Sequence, residues 1–183
     1  DVFIGNAKNN EFMGLRGADT IDGGAGLDIV SYMGDARQAG FGGARINLAA
    51  GTGRDGYGHV DRLTRIEGAE GTNLRDIFID NAGANFFRGQ AGNDEFRVSG
   101  GPDTLRGEAG ADRFVFVGAA FGADVIEDFT PAAGDRIEVV QADAFTDFTI
   151  QQDGTSALVR FGGSQIRLPG WDADALQAGH FIF

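Results

Sequence analysis

Carboxylates and carboxamides recur in this chain at intervals of nine residues. Asp76, Asn85, Asp94, Asp103 and Asp112 form one series, and Asp1, Asn10, Asp19 and Asp28 form a second. Asp and Asn together make up 28 of the 183 residues, so five hits in the five positions of one register arise by chance about once in ten thousand. Two residues after each member stands a large apolar side chain: Phe78, Phe87, Phe96, Leu105 and Phe114 in the first series, Phe3, Phe12, Ile21 and Val30 in the second. Two residues before stands glycine at Gly83, Gly92, Gly101 and Gly110, with Leu74 as the exception, and Gly17 and Gly26 hold the same place in the second series. Oxygen donors in glycine-rich turns suit a hard divalent cation. Ca²⁺ takes six to eight oxygens, backbone carbonyls among them, in flexible geometry, whereas Mg²⁺ demands a tighter octahedron.

The period also dictates the elements that position these oxygens. Nine residues divide into a six-residue turn and a three-residue strand whose apolar member points inward. Successive units then lie on opposite sides, two units make one coil, and residue i stacks on residue i+18. The stacked pairs are Asp1 with Asp19, Asn10 with Asp28, Asp76 with Asp94, Asn85 with Asp103, and Asp94 with Asp112. With no cation such stacked carboxylates repel one another and the turns do not close, which makes the ion part of the folding free energy. One ion per pair gives about five Ca²⁺, and their charge of about +10 would offset most of the formal −12.

Composition narrows the function classes. The chain has 27 acidic and 15 basic side chains, a balance that favours cations over nucleic acid or anionic membranes. The 14 Arg are scattered, so no nucleic-acid footprint is expected. Zero Cys removes disulfides and thiolate sites, and two His, His59 and His180, exclude a multi-histidine zinc centre. No apolar run approaches the roughly 18 to 20 residues of a membrane span. The chain opens at Asp1 without Met or a charged leader, which leads us to expect a fragment or a processed product.

The stretch Gly23-Gly24-Ala25-Gly26-Leu27-Asp28-Ile29-Val30-Ser31 fits G-G-x-G-x-D-x-U-x, U being a large apolar residue, at every fixed position. Residues 14–22 depart from it only at Leu15, and residues 107–115 only at Glu108. On these motifs the chain resembles the RTX (repeats-in-toxin, haemolysin-type calcium-binding) family. The resemblance implies an all-β fold: a right-handed parallel β-roll with Ca²⁺ held between the turns. It also implies secretion, with a C-terminal signal for the type I apparatus. Asp80-Asn81 and Val98-Ser99 replace the leading glycine pair of two units, and Asn10 and Asn85 lose a charge, which weakens the expected sites there.

Outside the repeats, alternation over 44–48 and 60–66 predicts two strands, and 51–59 reads as a long exposed loop between them. Longer coils over 32–70 are expected to continue the same sheets, with Asp55 and Asp61 read as solvated loop acids in preference to a further cation site. We place a roll at 1–117 and a capping, secretion-signal region at 118–183. In the latter, Asp124-Val125-Ile126-Glu127-Asp128-Phe129 and Asp135-Arg136-Ile137-Glu138-Val139 resemble elements that close RTX rolls, and an antiparallel meander from Phe145 to Leu168 covers the last apolar face. Asp124 and Asp128 are candidates for a final ion site, and the terminal Phe181 and Phe183 can pack into the cap as well as belong to the signal.

Three functions are in play. The first is a calcium-dependent folding module of a secreted bacterial protein, empty in calcium-poor cytosol and filled outside the cell. The second is a surface-layer, adhesin or extracellular-assembly component stiffened by calcium, with other extracellular chains as partners and the 51–59 loop as a contact. The third is an enzyme, against which stands the lack of H-E-x-x-H or G-x-S-x-G. His59 and His180 read as a loop and a cap residue, and the single Trp171 as packing.

Overall fold

The computed structural model describes residues 1–34 and 42–183. Short strands follow one another at the spacing the repeat dictates. The first four are β1 (Val2–Ile4), β2 (Glu11–Phe12), β3 (Thr20–Asp22) and β4 (Ile29–Ser31). The intervening region supplies β5 (Arg45–Asn47), β6 (Thr52–Arg54), β7 (Val60–Thr64) and β8 (Gly68–Glu70). The second repeat block gives β9 (Ile77–Ile79), β10 (Phe86–Arg88), β11 (Glu95–Val98), β12 (Thr104–Arg106) and β13 (Arg113–Phe116). Then come β14 (Ala123–Ile126), β15 (Arg136–Val139), β16 (Thr149–Asp153), β17 (Ser156–Phe161), β18 (Ser164–Pro169) and β19 (Phe181–Ile182).

Within the two repeat blocks, successive strands fall in alternate sheets. A ten-stranded sheet runs β1-β3-β7-β6-β5-β9-β11-β13-β15-β19, and a nine-stranded one runs β16-β17-β18-β14-β12-β10-β8-β4-β2. Val2 lies level with Thr20, Phe86 with Thr104 and Glu95 with Arg113 in parallel register. The 18-residue stacking is therefore observed, and the architecture is an all-β parallel roll.

The apolar column fills the space between the sheets. Phe78, Phe87, Phe96, Leu105 and Phe114 are all fully buried, as are Ile21 and Val30. Phe78 stacks on Phe96 at 4.9 Å and Phe96 on Phe114 at 5.1 Å, nearly coplanar in both cases. A three-residue strand with one inward side chain contributes little apolar area alone, so stability comes from stacking like residues coil upon coil.

The region between the blocks departs from expectation. Strands β5 and β7 fall where alternation placed them, but the segment read as a long exposed loop contains β6, paired antiparallel to both. Gly53 of β6 is buried against Tyr32, and a Cβ there would sit 1.8 Å from the Tyr32 hydroxyl oxygen. β5, β6 and β7 all lie in the ten-stranded sheet, with β6 antiparallel between two strands that pair in parallel with β9 and β3, while β8 continues the nine-stranded sheet in parallel register. Part of the expected 32–70 coil region, residues 35–41, lies outside the described residues.

Parallel pairing runs on past residue 117, β12 to β14 and β13 to β15. β18 then adds parallel to β14 while β16, β17 and β18 form an antiparallel meander. Phe145, Phe148 and Phe181 pack against one another over this end of the core.

Candidate metal centre

Two rows of turns link the sheets. One row carries Asp19, Asp76, Asp94, Asp112 and Asp135, each one residue before its strand in the ten-stranded sheet. The other carries Asn10, Asp28, Glu67, Asn85 and Asp103 just before strands of the nine-stranded sheet, with Asp124 in register beyond Asp103. The same bond recurs up each row, a backbone N–H donating to the carboxylate one coil further on. Asn10 donates to Asp28 Oδ1 at 2.7 Å, Asp76 to Asp94 at 2.8 Å, Asn85 to Asp103 at 2.7 Å and Asp94 to Asp112 at 2.9 Å. Asp1 N reaches Asp19 Oδ1 at 2.5 Å. All five sequence-derived pairs are thus brought together.

The ladder extends to residues outside the nonapeptide count. Asp19 donates to Asp61 Oδ1 at 2.8 Å, Asp28 to Glu67 Oε2 at 2.9 Å, Asp103 to Asp124 Oδ1 at 2.9 Å and Asp112 to Asp135 Oδ1 at 3.0 Å. Glu67 and Asp135 are therefore row members that the Asp/Asn count missed. Glu67 was findable, because it stands nine residues before Asp76 and 18 before Asn85. Asp135 was hidden by the longer turn before it, which puts it 23 residues after Asp112.

Asp55 and Asp61, expected in solvent, are both buried. Asp61 lies in β7 and accepts from Asp19 N and the Tyr32 hydroxyl, while Asp55 accepts from the Tyr57 and His59 amides and meets His59 Nδ1 at 2.9 Å. Asp124 and Asp128 fall in opposite rows. Asp128 accepts from the Gly107 and Glu108 amides and raises the pKa of Asp112 and Asp135, not that of Asp124.

The second carboxylate oxygen divides the row members into two groups. Oδ2 of Asp19, Asp28, Asp94, Asp103, Asp112 and Asp124 is buried without a hydrogen-bond partner. By contrast, Oδ2 of Asp61 takes the Tyr32 hydroxyl at 2.8 Å, that of Asp76 the Thr72 amide at 2.6 Å and that of Asp135 the Thr130 amide at 2.7 Å. A buried carboxylate oxygen with nothing to bind is costly. Six such oxygens in two rows are what a hard cation would satisfy.

Glycines leave the space beside these oxygens free of side chains. A Cβ on Gly14, Gly89 or Gly107 would stand 2.5, 2.3 and 2.2 Å from Oδ2 of Asp19, Asp94 and Asp112 respectively. A second set brings in backbone carbonyls. Gly17, Gly24, Gly26, Gly92, Gly101 and Gly110 all have positive φ. Gly110, at φ 151°, passes so close to the preceding coil that a Cβ would meet the Gly92 carbonyl oxygen at 1.5 Å. Gly92 and Gly101 approach the carbonyls of Leu74 and Gly83 in the same way, and Gly24 and Gly26 those of Asn6 and Lys8.

Among the described residues no three His, Cys, Asp or Glu side chains converge on one point. A bound ion would therefore draw on one or two carboxylates and complete its shell with turn carbonyls, an all-oxygen donor set that fits Ca²⁺.

Burial perturbs the carboxylates strongly. Desolvation pushes Asp94 and Asp124 up to about 8, Asp103 to about 7, and Asp76 and Asp112 to about 6. The backbone N–H bonds oppose this, while the neighbouring Asp of the row adds to it for Asp94 and Asp124. Asp61 and Asp135 are raised for the same principal reason.

Stacked Asp rows in glycine turns on a two-sheeted parallel roll define a cation-binding repeat protein. A family model described as the RTX calcium-binding nonapeptide repeat (4 copies) matches residues 1–35, 70–104 and 92–116. These blocks, which are the two sequence-derived series, are RTX calcium-binding nonapeptide repeats. No curated relative matches the sequence. Among solved structures, the extracellular lipase LipA from Serratia marcescens aligns with all of this chain at 18% identity and TM-score 0.40. This chain spans 38% of that lipase. The AlgE6R3 subunit of the Azotobacter vinelandii mannuronan C5-epimerase aligns at 23% identity and TM-score 0.27, covering 61% of this chain and 79% of its own.

Proposed function

We propose that this chain is the calcium-dependent folding module of a secreted bacterial protein, held unfolded at low calcium and folded where calcium is millimolar. The observation that carries the proposal is the set of six buried, partnerless Oδ2 atoms. Sites of roughly 10⁻⁴ M affinity would be empty inside a cell and filled outside it. Asp19, Asp28, Asp94, Asp103, Asp112 and Asp124 supply the side-chain ligands, with turn carbonyls beside Gly24, Gly26, Gly92, Gly101 and Gly110. Asp1, Asn10, Asp76 and Asn85 hold the N–H ends of the ladder.

The C-terminal part, from residue 118, acts as cap and as the signal read by a type I secretion apparatus. The module is a binding element rather than an enzyme. His59 is engaged by Asp55, and His180 Nδ1 accepts from the Gln177 amide. Among the described residues no helix is long and apolar enough to cross a membrane.

Circular dichroism during calcium titration tests the folding claim, with a magnesium arm and a chelator arm. β structure should appear cooperatively with calcium, fail to appear with magnesium, and collapse on chelation. Undiminished β structure in excess chelator would sink the proposal. Export of a reporter fused to residues 118–183, with and without a type I apparatus, tests the signal.

A further inference from the structure

The acidic balance of the chain is reversed on one part of its surface. The outward residues of four adjacent strands of the ten-stranded sheet are Val60, Arg62 and Thr64 on β7, Thr52 and Arg54 on β6, Arg45 and Asn47 on β5, and Ile77 and Ile79 on β9. Three are arginines and none is acidic. Arg45 and Arg54 face each other directly across the antiparallel β5–β6 pair. Arg62 lies opposite Thr52, diagonal to Arg54.

All three arginines are exposed, and none of their side chains forms an ion pair or hydrogen bond with any described residue. That sets them apart from most of the other arginines. Arg65 holds Asp22, Arg75, Arg97 and Arg113 share Glu95, Arg88 holds Glu70 and Arg167 holds Asp153. Asp55, next to Arg54 in sequence, is turned inward and already bonded to the Tyr57 and His59 amides and the His59 ring. Glu95, the acid beyond β9, is taken by its own three arginines.

Like charges directly opposite on a sheet cost stability, so an Arg–Arg pair with no acidic partner among the described residues, in a chain of formal charge −12, calls for a partner. The surroundings are shaped to admit one. Arg45 and Arg54 line a concavity of about 320 Å³ together with Gly42, Gly43, Gly56, Tyr57 and Gly58. Its rim is built: Asp55 closes the 55–59 turn, the Arg16 guanidinium lies over the Tyr57 ring at 5.4 Å, and Arg54 Nη2 rests against Gly58.

We propose that Arg45 and Arg54 form a binding site for a carboxylate-bearing ligand, with Arg62 as a secondary contact. Paired guanidinium forks match the two oxygens of a carboxylate. The site lies on the outer face of the sheet and its residues are not members of the calcium rows.

The test uses the calcium-loaded chain, labelled with ¹⁵N, and follows the arginine Nε–Hε resonances during titration with sodium succinate or sodium sulfate at constant ionic strength. Succinate should shift the Arg45 and Arg54 resonances saturably. R45Q and R54Q should each weaken binding about tenfold, and the cap variant R160Q should leave it unchanged. R45K, which keeps the charge but loses the fork, should fall between. Calcium-induced dichroism of each variant separates loss of this site from failure to fold. Shifts that grow linearly with salt, or that are equal at Arg160 and Arg167, would overturn the site as mere charge screening. Saturation by sulfate but not by succinate would overturn the carboxylate assignment.

Discussion

Each interior Asp of the rows has a divided task. Oδ1 fastens the coil below through a backbone N–H, and Oδ2 is buried with no protein partner. Asp103→Asn keeps the first task and removes the charge needed for the second. It should raise the calcium midpoint about tenfold while leaving the Asn85 bond in place, as isothermal titration together with amide exchange at Asn85 would show. Residue identity also matters at the second position of the nonapeptide. Leu15, Gln90 and Glu108 hold left-handed φ values of 59°, 76° and 64°, a conformation that costs a non-glycine residue roughly 1–2 kcal/mol. Gln90→Gly removes that strain but adds freedom to the unfolded chain, so the calcium-loaded protein should gain about 0.5–1 kcal/mol in urea unfolding. Most of this chemistry was legible, since the Asp/Asn period alone located five of the six orphaned oxygens and the residues they stack on. Glu67 was missed because a longer carboxylate occupies the same register. Asp61 was misread as solvated because its burial depends on Tyr32, 29 residues away.

At the scale of elements, the nonapeptide is transparent because each unit makes its own turn and strand, and the inward Phe column follows the same count. The insertion is not transparent in that way. β5 and β7 announce themselves by alternation, but β6 reads Thr-Gly-Arg inside a glycine-rich run and has no inward side chain to signal a strand. What makes it a strand is tertiary: Gly53 leaves room for the Tyr32 ring, whose hydroxyl then satisfies Asp61 Oδ2. The Tyr32 hydroxyl does at the end of the first block what a cation does within the rows. Tyr32→Phe should therefore destabilise the calcium-loaded protein by about 1–3 kcal/mol, the cost of leaving a buried acceptor unmet, measured by chemical unfolding. It should barely alter the number of ions bound. A matching loss of one ion would instead make Asp61 a ligand.

For the whole molecule the acidic excess is organised rather than diffuse, and pH reveals it. In the calcium-free roll Asp94 and Asp124 titrate near 8, Asp103 near 7, and Asp76 and Asp112 near 6, against about 3.9 for an unfolded Asp. Between about pH 4 and 8 the folded state thus holds more protons than the unfolded one, and stability of the calcium-free roll must rise as pH falls through that window. Above the folded values the buried charges are fully expressed and the roll is at its weakest. Calcium works in the opposite sense, since it needs the carboxylates ionised and must displace their protons. Two outcomes follow from the same shifts. In chelator, acidification from pH 8 to 5 should restore part of the β signal that calcium restores at pH 8. At pH 7, calcium binding should release protons, seen as a calorimetric heat that scales with the ionisation enthalpy of the buffer, and the calcium midpoint should rise as pH is lowered. A midpoint independent of pH between 6 and 8, with no proton release, would mean that the row carboxylates are ionised before calcium arrives and that their burial is not what calcium relieves.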